Sequence, residues 1–307
     1  MPHVRSYTTQ DLIDLKPKHA TFVGVDSDGC VFDTMEIKQK KCFHGLIASH
    51  WHLEPIEKYV REAAEFVNLY SRWRGQNRFP TLVMGIDLLR DRPEVLASGV
   101  KLPEFHDLRK FIDSGVALGN PALKKAVEES GSKELAEVLK WSEAVNALIA
   151  RTVKNVPPFE WARKSIEKMQ AHSDVICVSQ TPGEALMREW EENDLVRFVS
   201  VIAGQELGSK AEHIGLATQG RYTPDKILMI GDALGDRKAA SANKALFFPV
   251  NPGHENESWR RFHEEAYGRF LAGTYAGAYE AGLIAEFEAL LPDTPPWRLR
   301  ASSAPKK

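Results

Sequence analysis

The strongest constraint in the sequence is the isolation of one short apolar run. Residues 22–25, Phe-Val-Gly-Val, have the uninterrupted apolar character of a strand buried on both faces, and the next runs of that kind lie at 175–178, 199–203, 227–230 and 245–250. From residue 175 onward, a helix-patterned segment separates each run from the next. That alternation predicts an α/β fold, a doubly wound and mostly parallel five-stranded sheet. The first strand must then cross a long interval before it meets its partners. Between Asp33 and about Pro158 there is no convincing strand; apolar residues recur there at helical spacing, as over 36–51, 55–74, 103–114 and 133–154. Breaks at Gly75-Gln76-Asn77, Pro93, Gly115, Gly119-Asn120-Pro121, Gly131 and Pro157-Pro158 punctuate this helical insertion.

The expected organisation is therefore a sheet domain in two parts, 1–33 and 158–254, interrupted by an all-helical domain at 34–157 and followed by a helical extension and tail at 255–307. After the turn Asn251-Pro252-Gly253, the aromatics Trp259, Phe262, Tyr267, Phe270, Tyr275 and Tyr279 are spaced for core packing in two helices, and residues 301–307 are expected to be disordered.

Charge narrows the function classes. With 40 basic and 42 acidic residues the formal net charge is -2, so no global field favours nucleic acid or an anionic membrane, and a small-molecule ligand fits better. Neither a nucleic-acid nor a membrane partner is expected; the oligomeric state stays open. Cys30, Cys42 and Cys177 form no CxxC pair and read as reduced, buried thiols. The first ten residues lack the apolar stretch of a signal peptide and no later run is long enough for a membrane span, which makes a cytoplasmic protein the expectation.

The chemistry sits at the strand ends. Asp26-Ser27-Asp28-Gly29 closes the first strand, with Gly29 supplying the permissive backbone for a sharp turn. Two carboxylates so close repel, and a divalent cation or one protonated member relieves them. An EF-hand calcium loop is excluded, because its further ligands and terminal Glu are missing. After the next strand, Ser179 stands before Thr181-Pro182-Gly183-Glu184, which reads as a capping box with Pro182 at the first helical position, so Ser179 sits where a helix N-terminus can hold an anion. Gly208-Ser209-Lys210-Ala211-Glu212 is a second capping box and puts Lys210 in a first helical turn, where a cation opposes the helix dipole unless an anion faces it. A nucleotide-binding P-loop beginning at Gly204 fails, since Ala211 follows the lysine where Ser or Thr is required. Gly231-Asp232-Ala233-Leu234-Gly235-Asp236 follows the fourth strand; if the first and fourth strands flank the point where strand order reverses, Asp26 meets Asp232.

Each signal is weak alone, but their order along the strands is not. The set Asp-Xaa-Asp-Gly, Ser, Lys and Gly-Asp-Xaa-Xaa-Xaa-Asp resembles the four motifs of the haloacid dehalogenase-like (HAD) superfamily of phosphohydrolases, over roughly residues 20–33 and 160–250. The resemblance implies that Asp26 attacks phosphorus and that Asp28 protonates the leaving oxygen and then activates water. It further implies that Ser179 and Lys210 hold phosphoryl oxygens and that Asp26, the Asp28 backbone carbonyl and Asp232 ligate Mg²⁺. Asp236 is implied to face Lys210 or a metal-bound water. The expected activity is Mg²⁺-dependent hydrolysis of a small phosphomonoester through an aspartyl-phosphate. Dehalogenases and phosphonatases of the superfamily lack an acid at the place of Asp28, which favours phosphate esters. A phosphomutase on the same site, or a non-catalytic binding or regulatory module, is the alternative; stoichiometric phosphate release separates them.

The same resemblance implies that the helical insertion is a cap that closes over the site and chooses the substrate. Within it, Arg72, Trp73, Arg74, Asn77 and Arg78 gather at a helix end, suited to a second anionic group and a stacked ring. His44, His50 and His52 have no zinc-binding spacing and read as structural or exposed.

Overall fold

The computed structural model describes residues 6–303. The five apolar runs form β1 (Phe22–Val25), β2 (Asp174–Val178), β3 (Val201–Ala203), β4 (Ile227–Gly231) and β5 (Leu246–Pro249). All neighbours pair in parallel, in the order β3-β2-β1-β4-β5. Every residue of β1 to β4 is buried, which is why these strands read as continuous apolar runs instead of alternating ones.

The chain steps outward from β1 to β2 to β3, then crosses to the other side of β1 for β4 and β5. Winding thus reverses between β1 and β4, the place where open α/β sheets bind ligands. Val25 lies opposite both Cys177 and Ile230. Ser179 and Asp232 therefore follow one position beyond the residues level with Asp26, and all three leave the same carboxyl edge.

The chain forms two compact units, one running up to Met35 and resuming over Asn155–Leu290, the other comprising Glu36–Lys154 and the chain from Leu291 onward. In the sheet unit, helices Glu160–Gln170, Gly183–Glu192, Lys210–Thr218 and Leu234–Ala242 flank the strands. Beyond β5, Glu255–Arg261, the wider turns of Phe262–Ala266 and Tyr267–Leu271 run on as one helical path, and Ala278–Ala289 packs on β5. Trp259, Phe262, Tyr267, Phe270 and Tyr275 are fully buried.

A third helix, Pro296–Ser303, corrects the disorder expected from residue 301; residues 304–307 of that expectation lie outside the described residues. Its anchor is tertiary. Trp297 meets the Phe66 ring edge-on at 5.8 Å, and its own ring lies 4.8 Å from the Arg92 guanidinium, which also stacks on Tyr59 at 4.3 Å.

The helical unit packs around Trp141, Phe43, Phe79, Phe105 and Phe111, with Trp51 edge-on to Phe105 at 5.3 Å. Besides the segments legible from periodicity, it contains Arg78–Asp87, Pro93–Ser98 and Asn120–Ser130. The segment expected as one helix over 55–74 ends at Leu69, where the Ser71 hydroxyl takes the Val67 carbonyl and Arg74 takes that of Leu69. Cys30, Cys42 and Cys177 are free and buried. Among the described residues, no helix is long and apolar enough to cross a membrane.

Candidate active site

Asp26 continues the β1 ladder by donating its N–H to the Ile230 carbonyl at 2.9 Å, then the chain turns. Gly29 takes φ +80°, and the Ser27 carbonyl accepts the N–H groups of Cys30, Val31 and Phe32. That left-handed backbone is what the sequence asked of a glycine. Two indoles fix the turn from outside: Trp190 donates to the Ser27 hydroxyl at 3.0 Å and Trp259 to the Cys30 carbonyl at 2.8 Å.

The carboxylates of Asp26, Asp232 and Asp236 converge, with one oxygen from each lying within 4.8 Å of the others, and all three residues are buried. Lys210 reaches the cluster from the first turn of its helix, 2.9 Å from Asp26 Oδ2 and 2.6 Å from Asp236 Oδ1. Ser209 and Glu212 cap that helix reciprocally, as the sequence indicated. Its unfavourable dipole position is thereby explained, because the ammonium faces two buried carboxylates. Those carboxylates hold the Lys210 ammonium well above the usual lysine range. Asp236 is locked from its other side, accepting the Ala233 N–H at 3.0 Å.

Three carboxylates and one ammonium leave two negative charges in a buried space. Burial, opposed by Lys210 and reinforced by Asp236 and Asp232, pushes the Asp26 carboxyl well above its ordinary range. The same field reaches the Cys30 thiol, raised first by burial and then by Asp232, Asp26 and Asp236. An all-oxygen donor set with two uncompensated charges fits a hard divalent cation of the Mg²⁺ kind.

Asp28 stands apart from the carboxylate cluster. Its Oδ1 accepts a hydrogen bond from the buried Thr34 hydroxyl, at the start of the next helix. Ser179 is buried, its N–H bonded to the Ala203 carbonyl and its hydroxyl accepting the Thr181 N–H at 3.2 Å. The capping box expected at Thr181 is absent: Pro182, with ψ 135°, is itself the N-cap of Gly183–Glu192, and Glu206 accepts the Gly183 N–H at 2.9 Å. A loop from another strand thus supplies the cap.

Thr34, Trp190, Trp259 and Glu206 were not legible as site residues: the last three act through neighbours distant in sequence, and nothing in the local pattern marks Thr34, six residues after Asp28, as its partner. Only Gly231 left a signal, its place before Asp232. A Cβ there would fall 2.3 Å from the Asp236 side chain, so Asp236 can occupy its position only beside a glycine.

No protein-family model matches the chain, and no curated protein matches it. Solved structures do. A haloacid dehalogenase-like family hydrolase from Streptococcus pneumoniae aligns at 12% identity over 87% of this chain and 98% of that one, with a TM-score of 0.48. A HAD-superfamily hydrolase of subfamily IA from Geobacter sulfurreducens aligns at 14% identity over 76% and 89% of the two chains, TM-score 0.39. A predicted phosphoglycolate phosphatase from Haemophilus somnus aligns at 14% over 76% and 85%, TM-score 0.41.

Of the five residues expected to choose the substrate, all lie in the helical unit. Arg72 is exposed and 3.6 Å from Asp293; Trp73 packs edge-on against Phe66 at 6.1 Å; Arg74 is buried and bonded to the Leu69 carbonyl. Asn77 is the N-cap of Arg78–Asp87, accepting the Phe79 N–H. Arg78 points its guanidinium at Ser142 and Asn146.

Proposed function

We propose that the chain is a Mg²⁺-dependent phosphohydrolase that cleaves a small phosphomonoester through an aspartyl-phosphate on Asp26. The observation that carries this is the buried cluster of Asp26, Asp232 and Asp236, bridged by Lys210, at the carboxyl edge where the winding reverses. Asp26 and Asp232, with the Asp28 carbonyl, would hold the ion. When bound, Mg²⁺ neutralises charge developing on the phosphoryl oxygens.

The chain's own groups carry the rest. Asp26 must be ionised to attack; Lys210 at 2.9 Å favours that form against the burial that disfavours it. Its carboxylate oxygen bonds to phosphorus as the ester P–O bond breaks, and the departing alkoxide takes the proton of the Asp28 carboxyl. Water then attacks the same phosphorus, giving its proton to the Asp28 carboxylate, and the bond to Asp26 breaks to release inorganic phosphate. The Thr34 hydroxyl, bonded to Asp28 Oδ1, would hold that carboxyl in place for this exchange. Ser179 and Lys210 steady the transferring group, and Asp236 fixes Lys210.

A phosphate-release screen over sugar phosphates, nucleotides and small acid phosphates tests the proposal. Release is expected with Mg²⁺ and none with EDTA, and Asp26→Asn is expected to lose at least about 10³-fold in turnover with unchanged circular dichroism. Substantial release by the folded Asn variant would overturn the mechanism.

A further inference from the structure

Of the three groups proposed to hold the ion, only the Asp28 carbonyl belongs to the main chain, so its place depends on the turn that carries it. Phe32 grips that turn from inside: its N–H donates to the Ser27 carbonyl at 3.2 Å and its carbonyl accepts the Gly29 N–H at 2.9 Å. The two indoles tie it from outside, on the residues that flank Asp28 and Gly29. Trp190 donates to the Ser27 hydroxyl and Trp259 to the Cys30 carbonyl. Ser27, Cys30, Trp190 and Trp259 are all fully buried, so no bulk water competes for these bonds. Each indole is also fixed by a ring neighbour before it bonds, Trp190 by Phe32 at 6.2 Å and Trp259 by Phe262 at 5.6 Å, both edge-on. Packing alone does not ask for this. Trp141 of the helical unit is as deeply buried, and its indole nitrogen has no hydrogen-bond partner.

We propose that Trp190 and Trp259 are positioning residues for the divalent cation, holding the main chain at Asp28 so that its carbonyl meets the ion beside Asp26 and Asp232. This rests on the phosphohydrolase reading and deepens it. Trp190 lies near the end of Gly183–Glu192, the helix that begins just after Ser179, and Trp259 lies on Glu255–Arg261, beyond β5. The helical extension after the last strand is thereby part of the machinery of the site, reaching it through one indole. Neither indole touches the ion; each acts through the turn. Partners that orient the ligands of a metal ordinarily weaken its binding by about 10- to 100-fold when they are removed.

Calorimetric titration of the full chain with Mg²⁺ alone tests this. Trp190→Phe and Trp259→Phe keep a buried ring and delete the N–H; each is expected to bind Mg²⁺ at least about tenfold more weakly with native circular dichroism. Trp141→Phe deletes an unbonded N–H and is expected to leave the affinity unchanged. A role in folding alone would lower the thermal midpoint of Trp259→Phe without moving its Mg²⁺ affinity, and that result would overturn the proposal. Should a variant fail to fold, the native chain labelled with ¹⁵N-tryptophan decides. The indole N–H signals of Trp190 and Trp259 are expected to shift on addition of Mg²⁺ while that of Trp141 stays, and two unmoved signals beside calorimetric Mg²⁺ binding would sink the idea. Absence of Mg²⁺ binding in the native chain is a different failure, removing the phosphohydrolase reading and the proposal with it.

Discussion

Gly231 is the residue whose side chain the site cannot accommodate. Asp236 fills the space a Cβ would need, and it does so while bonded to Lys210 and the Ala233 N–H. Gly231→Ala is therefore expected to push Asp236 off Lys210, reducing phosphate release by about 10²-fold or more and costing about 1–3 kcal/mol in urea unfolding, the ordinary range for overpacking. A variant with native turnover would show that Asp236 can move without consequence. The residues proposed to react stood out in the sequence because such chemistry would prescribe their identity: a carboxylate pair before a glycine, a lysine in a helix's first turn, two more carboxylates after a strand. Thr34 and Trp190 did not, because a hydroxyl or an indole is prescribed by nothing local. Their roles exist only once Asp28 and Ser27 are brought to them.

At the level of elements, the strands were readable from their apolar runs because parallel strands buried on both faces hold almost no polar residue to blur them, Asp174 at the start of β2 being the exception. The Arg78–Asp87 helix was harder to see. It follows a Gly-Gln-Asn break and carries a proline and a glycine, both poor helix formers. Gly85 of that helix has nothing within 4 Å of where a Cβ would stand, and it borders a void of about 10 Å³ lined by Ile47, Val60, Leu82 and Leu89. Gly85→Ala is expected to raise stability by about 1 kcal/mol, mostly by reducing the freedom of the unfolded chain. A lower thermal midpoint would mean that the void is not open to a methyl group. The Gly183–Glu192 helix teaches the converse lesson. Its sequence offered a local capping box, yet the cap comes from Glu206, whose approach depends on the pairing of β2 with β3.

For the whole molecule, each unit holds a histidine that folding keeps neutral. Burial, aided by Arg61 and Lys40, pushes His44 of the helical unit down to about 3, and burial and Lys210 push His213 of the sheet unit down to about 4. Both folded values lie below the unfolded value of 6.5, so the unfolded chain binds more protons throughout that window. The stabilisation is fully present above pH 6.5 and is lost as pH falls toward the folded values, with a slope of up to about 1.4 kcal/mol per pH unit for each group. Urea midpoints between about pH 6.5 and 5, above the main carboxylate range, should fall with acidification and should fall less in His44→Gln. An unchanged slope in that variant would remove His44 as a source.

The return of the chain to the helical unit after Leu290 has a consequence for the order of synthesis. β1 is made first, but both its neighbours in the sheet follow the insertion, and the insertion in turn gains Trp297 against Phe66 and Arg92 only after the whole sheet has been translated. The two units interleave in sequence, so neither can be excised as one continuous fragment. A ribosome pausing before residue 291 would hold a sheet with all its strands beside a helical unit whose aromatic face at Phe66 still waits for its cover.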